Sequence, residues 1–197
     1  MITTNLSKEE IKNLILDILT VKLSLSADLL KYLETDSDFF TAPCSTEYHL
    51  NYEGGLAEHS LHVYNLLVDK IKYYEIKDIP ESTIAICGLL HDICKTNFYT
   101  KGKKWVKING GWQEQERWVV NDQFPVGHGE KSVFILQRFL KLTEEEIATI
   151  RWHMMFFDAG IHFNYPSGYP FRSAIKKYPL VTLLATADME ATNILER

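Results

Sequence analysis

The sequence predicts a mainly α-helical protein with one small β-hairpin inserted between the helices. Apolar residues recur at helical spacing through most of the 197 residues, and capping signals precede several of these stretches. One region differs: residues 98–120 carry Trp and Val residues on both sides of the turn signal Asn109-Gly110-Gly111. The length fits one domain, so we expect residues 1–197 to form a single domain, with N-terminal helices in residues 7–34 packed on its core.

The individual elements follow from local signals along the chain. In order, helices are predicted to begin at Ser7, near Ala27, at Leu56, at Glu81, near Gly129, at Thr143 and near Leu180. We expect the helix that begins near Gly129 to run to Lys141, and the last helix to run to Leu195. Residues 35–55 and 155–170 contain Gly, Pro or clustered aromatic residues without periodicity, so we expect both to be irregular.

Composition and charge narrow the class of protein. Hydrophobic residues make up 46% and charged residues 24% of the chain, which is typical of globular proteins. No apolar run is long enough to span a bilayer and the N-terminus lacks a signal-peptide pattern, so we expect no membrane association and a cytoplasmic location. The net charge of −5 argues against strong binding to duplex nucleic acid. The three cysteines form no CxxC pair and are expected to be reduced thiols.

Two aspartates occupy positions that otherwise look buried. Asp188 lies in a helical segment that is apolar or small nearly all round, and His91-Asp92 directly follow the apolar residues 84–90. An aspartate is almost never buried alone, because an unpaired carboxylate in a low-dielectric interior costs on the order of several kcal/mol. Each aspartate therefore needs a cation, hydrogen bonds or a place at the surface, and a solvent-facing position near Glu190 is the alternative for Asp188.

Three histidines on separate predicted elements extend this pattern. His59 lies on the long helix that begins at Leu56, His128 lies at a loop-to-helix junction, and His153 is expected on the inward face of its helix. Imidazole and carboxylate groups are compatible ligands for one first-row metal ion. Each histidine alone is also compatible with a structural hydrogen bond, but together with the aspartates they favour a metal centre.

The order of these motifs is more specific than any one of them. The segments GGLAEHSLHV, LLHDICK, GHGEKS, WHMMF and LLATADMEA together contain the pattern H…HD…H…H…D. The pattern resembles the HD superfamily of metal-dependent phosphohydrolases over residues 52–195. It is most similar to the HD domains of 3′–5′ exoribonucleases and related phosphodiesterases. The resemblance implies an HD-domain helical bundle in which His59, His91, Asp92 and Asp188 bind one metal, while His128 and His153 accompany a second.

The predicted catalytic residues are Asp92 and Lys95. Two metal ions about 3.5–4 Å apart can share one carboxylate and supply a hydroxide for in-line attack on phosphorus. Asp92 is the expected shared carboxylate, and the resemblance implies that Lys95 faces the phosphate, with a solvated surface lysine as the alternative. With one ion, His128 or His153 is free to act as a general acid or a phosphate donor.

The expected cofactor is one or two divalent transition metals. A ligand set that mixes histidine and carboxylate suits Mn, Fe, Co, Ni or Zn better than Mg or Ca. One position departs from the family, which commonly has a glycine where this chain has Cys94. If that glycine has a positive φ, we expect Cys94 to be strained; a buried spacer is the alternative.

The expected substrate is a phosphate ester: a nucleotide, a cyclic nucleotide or a short oligonucleotide. Arg172 is a candidate to pair with the phosphate, with a surface helix position as the alternative. Tyr169 is a candidate to stack a base, as are Tyr165, Phe156 and Phe157, with packing of the loop as the alternative. Two rival functions stay open, a hydrolase of deoxynucleoside mono- or triphosphates and a regulatory module that binds metal or nucleotide without turnover. The sequence predicts no particular oligomeric state.

Overall fold

The first helix begins where the sequence has its capping box. The computed structural model describes residues 6–23, 27–108, 110–157 and 168–197, and helix α1 spans Lys8–Leu23. The Ser7 hydroxyl accepts a hydrogen bond from the Glu10 N–H at 3.3 Å, and the Glu10 carboxylate accepts one from the Ser7 N–H at 2.8 Å. The apolar face of α1 packs against the helices of residues 55–73 and 81–90.

Helices α3 and α4 form the centre of the molecule. A short helix α2 (Ala27–Lys31) and one turn of π-helix (Tyr32–Asp36) lead to the irregular segment, after which α3 spans Gly55–Tyr73 and α4 spans Glu81–Leu90. The two helices cross closely, because a Cβ added to Gly88 would lie 2.9 Å from the Cα of Tyr64. A single 3-10 turn, Ile93–Lys95, follows α4, and its first two residues are buried.

The predicted hairpin is confirmed. Strand β1 spans Tyr99–Ile108 and β2 spans Gly111–Val120, and they pair antiparallel as a two-stranded sheet. Gly110 in the connecting turn has φ +86°, which is the left-handed conformation that favours glycine. Trp105 and Trp112 near the tip are exposed, so the outer part of the hairpin contributes little to the core.

The second half of the chain returns to helix after the hairpin. Helix α5 spans His128–Leu136 and therefore ends earlier than the predicted Lys141, because the chain turns at Gln137. Helix α6 spans Glu144–Arg151 and starts at the predicted capping box of Thr143. The expectation that His153 lies on this helix is wrong. It lies in the turn that follows α6, although it is buried there.

The last helices close the core. Helix α7 spans Gly168–Lys177 and α8 spans Pro179–Glu190, followed by a π-helical turn, Ala191–Leu195. Because α8 packs along α3, it completes a core shared with α1, α4 and α6. None of the described helices is long and apolar enough to cross a membrane. The architecture is mainly helical with one small hairpin, which confirms the predicted fold class, while the single domain over residues 1–197 stays a prediction.

Candidate metal centre

The Asp92 carboxylate lies at the middle of a buried group of histidines. Its Oδ2 atom is 3.7 Å from the Nε2 atom of His59 and 3.7 Å from that of His91. Its Oδ1 atom is 2.7 Å from the Nε2 atom of His128 and 3.5 Å from that of His153. The two oxygens of one carboxylate therefore face two different pairs of histidines, as a shared ligand between two ions requires.

Asp188 joins the His59 side of this group. Its Oδ1 atom is 3.2 Å from the Nε2 atom of His59, and its side chain is only 17% exposed. The solvent-facing alternative for Asp188 is therefore wrong. Ligand atoms of His59, His91 and Asp188 lie within 4.8 Å of one another, close enough to hold a single ion.

The fixed orientation of three imidazole rings fits a metal. The Nδ1 atoms of His91 and His153 bond to the backbone oxygens of Gly88 and Ile150, at 3.0 and 2.7 Å. The Nδ1 atom of His59 lies 3.1 Å from both carboxylate oxygens of Glu196. In all three rings the opposite Nε2 atom is buried and makes no well-aligned hydrogen bond in the described part of the chain, although that of His59 lies 3.2 Å from Oδ1 of Asp188. Buried polar atoms are rarely unpaired, and a ligating histidine commonly donates its other N–H in this way.

The charges in the site favour a bound cation. Burial alone would raise the pKa of Asp92, but Lys95, His91 and His128 lower it well below its usual range. Burial alone would also raise the pKa of Asp188, but His59 has the larger effect and lowers it. Burial lowers the pKa of His91 to about 4, so its ring is neutral at neutral pH and keeps a lone pair for a metal. The site thus combines ionised carboxylates with one neutral donor. Burial alone would also lower the pKa of His59 and His128, but neighbouring thiol and carboxylate groups raise both, so these two rings must release a proton before they bind a metal.

This arrangement agrees with a family match. The model of the HD domain family matches residues 56–188, which is more than half of the chain. The chain belongs to the HD domain family. HD domains bind divalent metals, and membership implies a metal-dependent phosphohydrolase. No curated protein and no solved structure is matched by the chain.

One carboxylate of this HD domain was missed by the sequence reasoning. The Glu196 side chain is buried, accepts from His59, and lies with Oε1 3.0 Å from the Nδ1 atom of His62. Burial would raise its pKa, but the hydrogen bonds of the two histidines lower it to about 2. Glu196 therefore holds the His59 ring by its far nitrogen. No spacing or motif marks this residue, because it meets His59 only through the packing of the last turn on α3.

Cys94, where the resemblance led us to expect a glycine, is not strained. Cys94 lies in the 3-10 turn and is absent from the described non-glycine residues with positive φ: Leu50, Glu75, Asp78, Asn97 and Met155. The expectation of strain is therefore wrong, because the tight turn continues the helix in right-handed geometry and the positive φ falls later, at Asn97. Asparagine tolerates that conformation better than most residues. The Cys94 sulfur lies 3.4 Å from Nδ1 and 3.6 Å from Nε2 of His128.

The other two thiols are also free, as expected of reduced cysteines. Cys87 lies within the hydrophobic core. The Cys44 sulfur is 3.1 Å from the Nε2 atom of His49 and 3.4 Å from the Nζ atom of Lys95. The sequence assigned His49 no role, yet it lies beside the site, where burial lowers its pKa.

A cleft of about 470 Å³ opens onto the site. Its described lining consists of Tyr48, His49, Asp92, Lys95, His153, Met154, Met155, Phe157, Asp188, Met189, Thr192 and Asn193. Of the predicted substrate residues, Lys95 lines the cleft, while Tyr169 and Arg172 lie exposed on α7 and are not part of this described lining. Phe157 does line it; Tyr165 and the side chain of Phe156 lie outside what the structure describes.

Proposed function

We propose that this protein hydrolyses a small phosphodiester that carries a base, such as a cyclic nucleotide or a short oligonucleotide. The observation that carries the proposal is the cleft, which has Asp92 and Lys95 at its polar end and exposed aromatic side chains at its walls. Family membership supplies the reaction class, and the lining of the cleft narrows the range of substrates. The likeness of the motifs to exoribonuclease-type HD domains supports the same choice.

Two groups of residues would hold the metal ions. His59, His91 and Asp188 face Oδ2 of Asp92, and His128 and His153 face Oδ1. When bound, divalent ions would activate water for attack on phosphorus and balance the charge of the phosphate. Asp92 is the residue shared by both groups, which is why we assign it the central catalytic role.

Lys95 is suited to orient the phosphate. Its Nζ atom is 2.7 Å from Oδ2 of Asp92 and 3.4 Å from the sulfur of Cys44. An ammonium group has three donors, so one stays available on the side that lines the cleft. Burial alone would lower the pKa of Lys95, but Asp92 and Cys44 raise it well above its usual range, so the charge is retained.

The charge of the cleft favours a single phosphate group. Lys95 is the only lysine or arginine in the described lining. A triphosphate carries several negative charges and is usually held by several cations or backbone donors. A phosphodiester carries one negative charge, which Lys95 and the metal site together can balance. The triphosphate hydrolase is therefore the less favoured candidate.

The walls of the cleft favour a base on that phosphate. Tyr48 is 81% exposed and Phe157 is 72% exposed, and both border the cleft. Exposed aromatic faces are common stacking surfaces for bases, worth about 1–3 kcal/mol for each base. The volume of about 470 Å³ lies within the usual range of small-molecule pockets.

The proposal is tested with metal-loaded protein and a substrate panel. We expect turnover of bis-p-nitrophenyl phosphate, cyclic nucleotides and dinucleotides with Mn²⁺ or Co²⁺, and weaker turnover of nucleoside triphosphates. Asp92→Ala should lower kcat by at least about a hundredfold, with an unchanged circular dichroism spectrum. Tyr48→Ala should raise KM for dinucleotides by about tenfold and leave the hydrolysis of an alkyl phosphodiester, which has no ring to stack, unaffected.

Tyr73→Ala is the matched control for the stacking residue. Tyr73 is 79% exposed on α3 and lies outside the described lining of the cleft, so its replacement should change neither KM nor kcat. A preference for triphosphates would contradict the proposal and favour the runner-up. Metal binding without turnover of any ester would instead favour the regulatory module.

A further inference from the structure

We propose that one face of the hairpin binds single-stranded nucleic acid that extends out of the cleft. This inference rests on the proposed function, because it concerns the substrate of the same site, an oligonucleotide that continues beyond the phosphodiester at the metal centre. It goes beyond that function by giving the inserted hairpin, which supplies no metal ligand, a binding role of its own.

The hairpin is basic in an otherwise acidic protein. Residues 99–120 contain five basic and two acidic residues, a net charge of +3, whereas the whole chain carries −5, which leaves −8 for all other residues. A basic surface attracts the phosphate backbone of nucleic acids, and an acidic surface repels it. A polyanion is therefore expected to bind along the hairpin and not elsewhere on the surface.

The pairing of the two strands brings three of the four tryptophans of the chain onto one face. Residues directly opposite each other in an antiparallel pair share a face, and so do alternate residues along a strand. This tryptophan face contains the pairs Lys101–Trp118, Lys103–Glu116, Trp105–Glu114 and Lys107–Trp112. Lysines and tryptophans are thus neighbours along its whole length.

The outer tryptophans of this face are not used in packing. Trp105 is 63% exposed and Trp112 is 67% exposed. A group of large exposed apolar side chains commonly marks an interaction site. Unpaired bases stack on such rings, at about 1–3 kcal/mol for each base. The bases of a duplex are already stacked on one another, so the tryptophan face fits a single strand.

Two lysines of the tryptophan face have no carboxylate partner among the described residues. These are Lys101, whose Nζ atom lies 3.8 Å from the ring centre of Trp118, and Lys107 near the tip. Lys103 pairs with Glu114 at 2.8 Å, but this pair is exposed, and such pairs are weak. Cations beside stacking rings suit a single strand, in which phosphates and bases alternate.

The base of the tryptophan face lies next to the segment that borders the cleft. A groove of about 480 Å³ is lined by Thr46, Asn51, Tyr52 and Glu53 on one side, and by residues 101 and 116–118 on the other. Tyr48 and His49 of the same segment line the cleft. A strand that leaves the cleft across residues 46–53 therefore reaches the hairpin.

Metal-free protein allows binding to be measured without turnover. The probes are fluorescein-labelled octathymidylate and octauridylate, followed by fluorescence anisotropy at several salt concentrations. We expect both to bind alike, because stacking and phosphate contacts do not distinguish the sugars. Trp105→Ala and Trp112→Ala should each weaken binding by at least about fivefold. Lys107→Gln should reduce the slope of log affinity against log salt concentration by about 0.7.

Two exposed residues outside the hairpin serve as matched controls. Tyr73→Ala removes an aromatic ring and Lys77→Gln removes a charge, and neither should change the affinity or the salt dependence. Circular dichroism shows whether each variant is folded. If a tryptophan variant does not fold, the hairpin in which Asn-Gly replaces residues 103–116 takes its place, and it should bind octathymidylate at least about tenfold more weakly.

The outcomes separate this inference from the function on which it rests. Absence of binding by the wild-type protein overturns it, as does binding that the tryptophan variants retain in full. Wild-type oligomers that are lost on shortening the hairpin, without oligonucleotide binding, would show that the face joins copies of this chain. In each of these cases hydrolysis of dinucleotides would still support the proposed function. Binding at the hairpin by a protein that hydrolyses no phosphodiester would instead overturn that function.

Discussion

Three histidines of the site, His59, His91 and His153, are held by the nitrogen that does not face Asp92. His91 and His153 use the backbone oxygen of the residue three positions earlier, so local helical geometry alone sets the ring. His59 lies in the second turn of α3 and depends on the carboxylate of Glu196. The orientation of the His59 ring is therefore the one most sensitive to substitutions elsewhere in the chain.

Replacement of Glu196 by Gln should weaken metal binding. The amide keeps the size of the side chain but loses the negative charge that holds the N–H groups of His59 and His62. Loss of such an outer partner typically lowers metal affinity by about 10–100-fold. Isothermal titration of metal-free protein with Co²⁺ measures this change directly.

Glu190→Gln is the control for this substitution. Glu190 lies on α8, near the site in sequence, but its carboxylate bonds to Lys70 on the surface side. We expect its replacement to leave the cobalt affinity within about twofold, because this ion pair contacts none of the proposed metal ligands. Equal affinities for the wild-type protein and Glu196→Gln would show that Glu196 does not support the site.

The sequence was informative at this scale wherever the residue type was unusual for its position. A histidine beside an aspartate at the end of a core helix, and an aspartate in an apolar helix, are costly unless they have partners. Glu196 carried no such signal, because it is one of 26 acidic residues and lies outside any motif. The proximity of Cys94 to His128 could not be predicted either, since 34 positions of chain, including the hairpin, separate them.

At the scale of elements, close helix crossings position the ligands. Gly129 follows His128 at the start of α5, and a Cβ at Gly129 would lie 2.9 Å from the Cα of Arg151 and collide with its carbonyl. Arg151 ends α6, and His153 follows it. The absence of a side chain at this crossing is thus what allows His128 and His153 to approach one another.

Gly129→Ala should therefore damage both the fold and one half of the site. The added methyl meets backbone, which cannot move aside, so we expect a loss of about 1–3 kcal/mol in the free energy of unfolding. The affinity for the second cobalt ion should fall more than that for the first. Urea unfolding and a two-site cobalt titration measure the two effects.

Gly111→Ala is the control at an open position. The nearest atom to a Cβ there is the carbonyl oxygen of Ile108 at 3.8 Å, an ordinary contact. We expect a change in unfolding free energy of about 0.5 kcal/mol or less. If Gly129→Ala is as stable as this control and binds two ions normally, the crossing is not what sets the histidine separation.

Helix starts were predicted better than helix ends. Ser7 and Thr143 are N-terminal capping residues, and both act as such. Helix α5 ends at Leu136 and α6 at Arg151 without a Gly or Pro to mark the stop, because tertiary packing ends them. This is why the position of His153 was predicted to be on a helix rather than just after it.

At the scale of the whole molecule, the helices and the hairpin have separate roles. The core is built from helices of both halves of the chain, and the site lies where they meet. The hairpin contacts this body at its base, where the hydroxyl of Tyr99 donates to the backbone oxygen of Cys44 at 3.3 Å. Nearer the tip, Lys104 pairs with Glu47 at the surface.

Shortening the hairpin should therefore spare the site. Residues 103–116 can be replaced by Asn-Gly, because Gly102 and Arg117 already face each other across the strands. We expect a change of about 0.5 kcal/mol or less in the free energy of unfolding and unchanged cobalt affinity. Thermal unfolding and the same cobalt titration test this.

Tyr99→Ala provides the contrast, since it removes the contact at the base of the hairpin. We expect it to lower the unfolding temperature more than the shortened hairpin does, because Tyr99 bonds to the segment beside the site. Loss of cobalt binding on shortening alone would mean that the outer hairpin supports the site.

The pairing of Lys95 with Asp92 has a consequence for the order in which the protein matures. Many small metalloproteins stay unfolded until their ion arrives, since their ligands have no other partners. Here an ammonium group of the chain itself balances the central carboxylate. We therefore expect the polypeptide to fold first and to take up metal afterwards by exchange of one cation for another. Protein that is synthesised while metal is scarce is then folded and metal-free, and it can bind metal later without refolding.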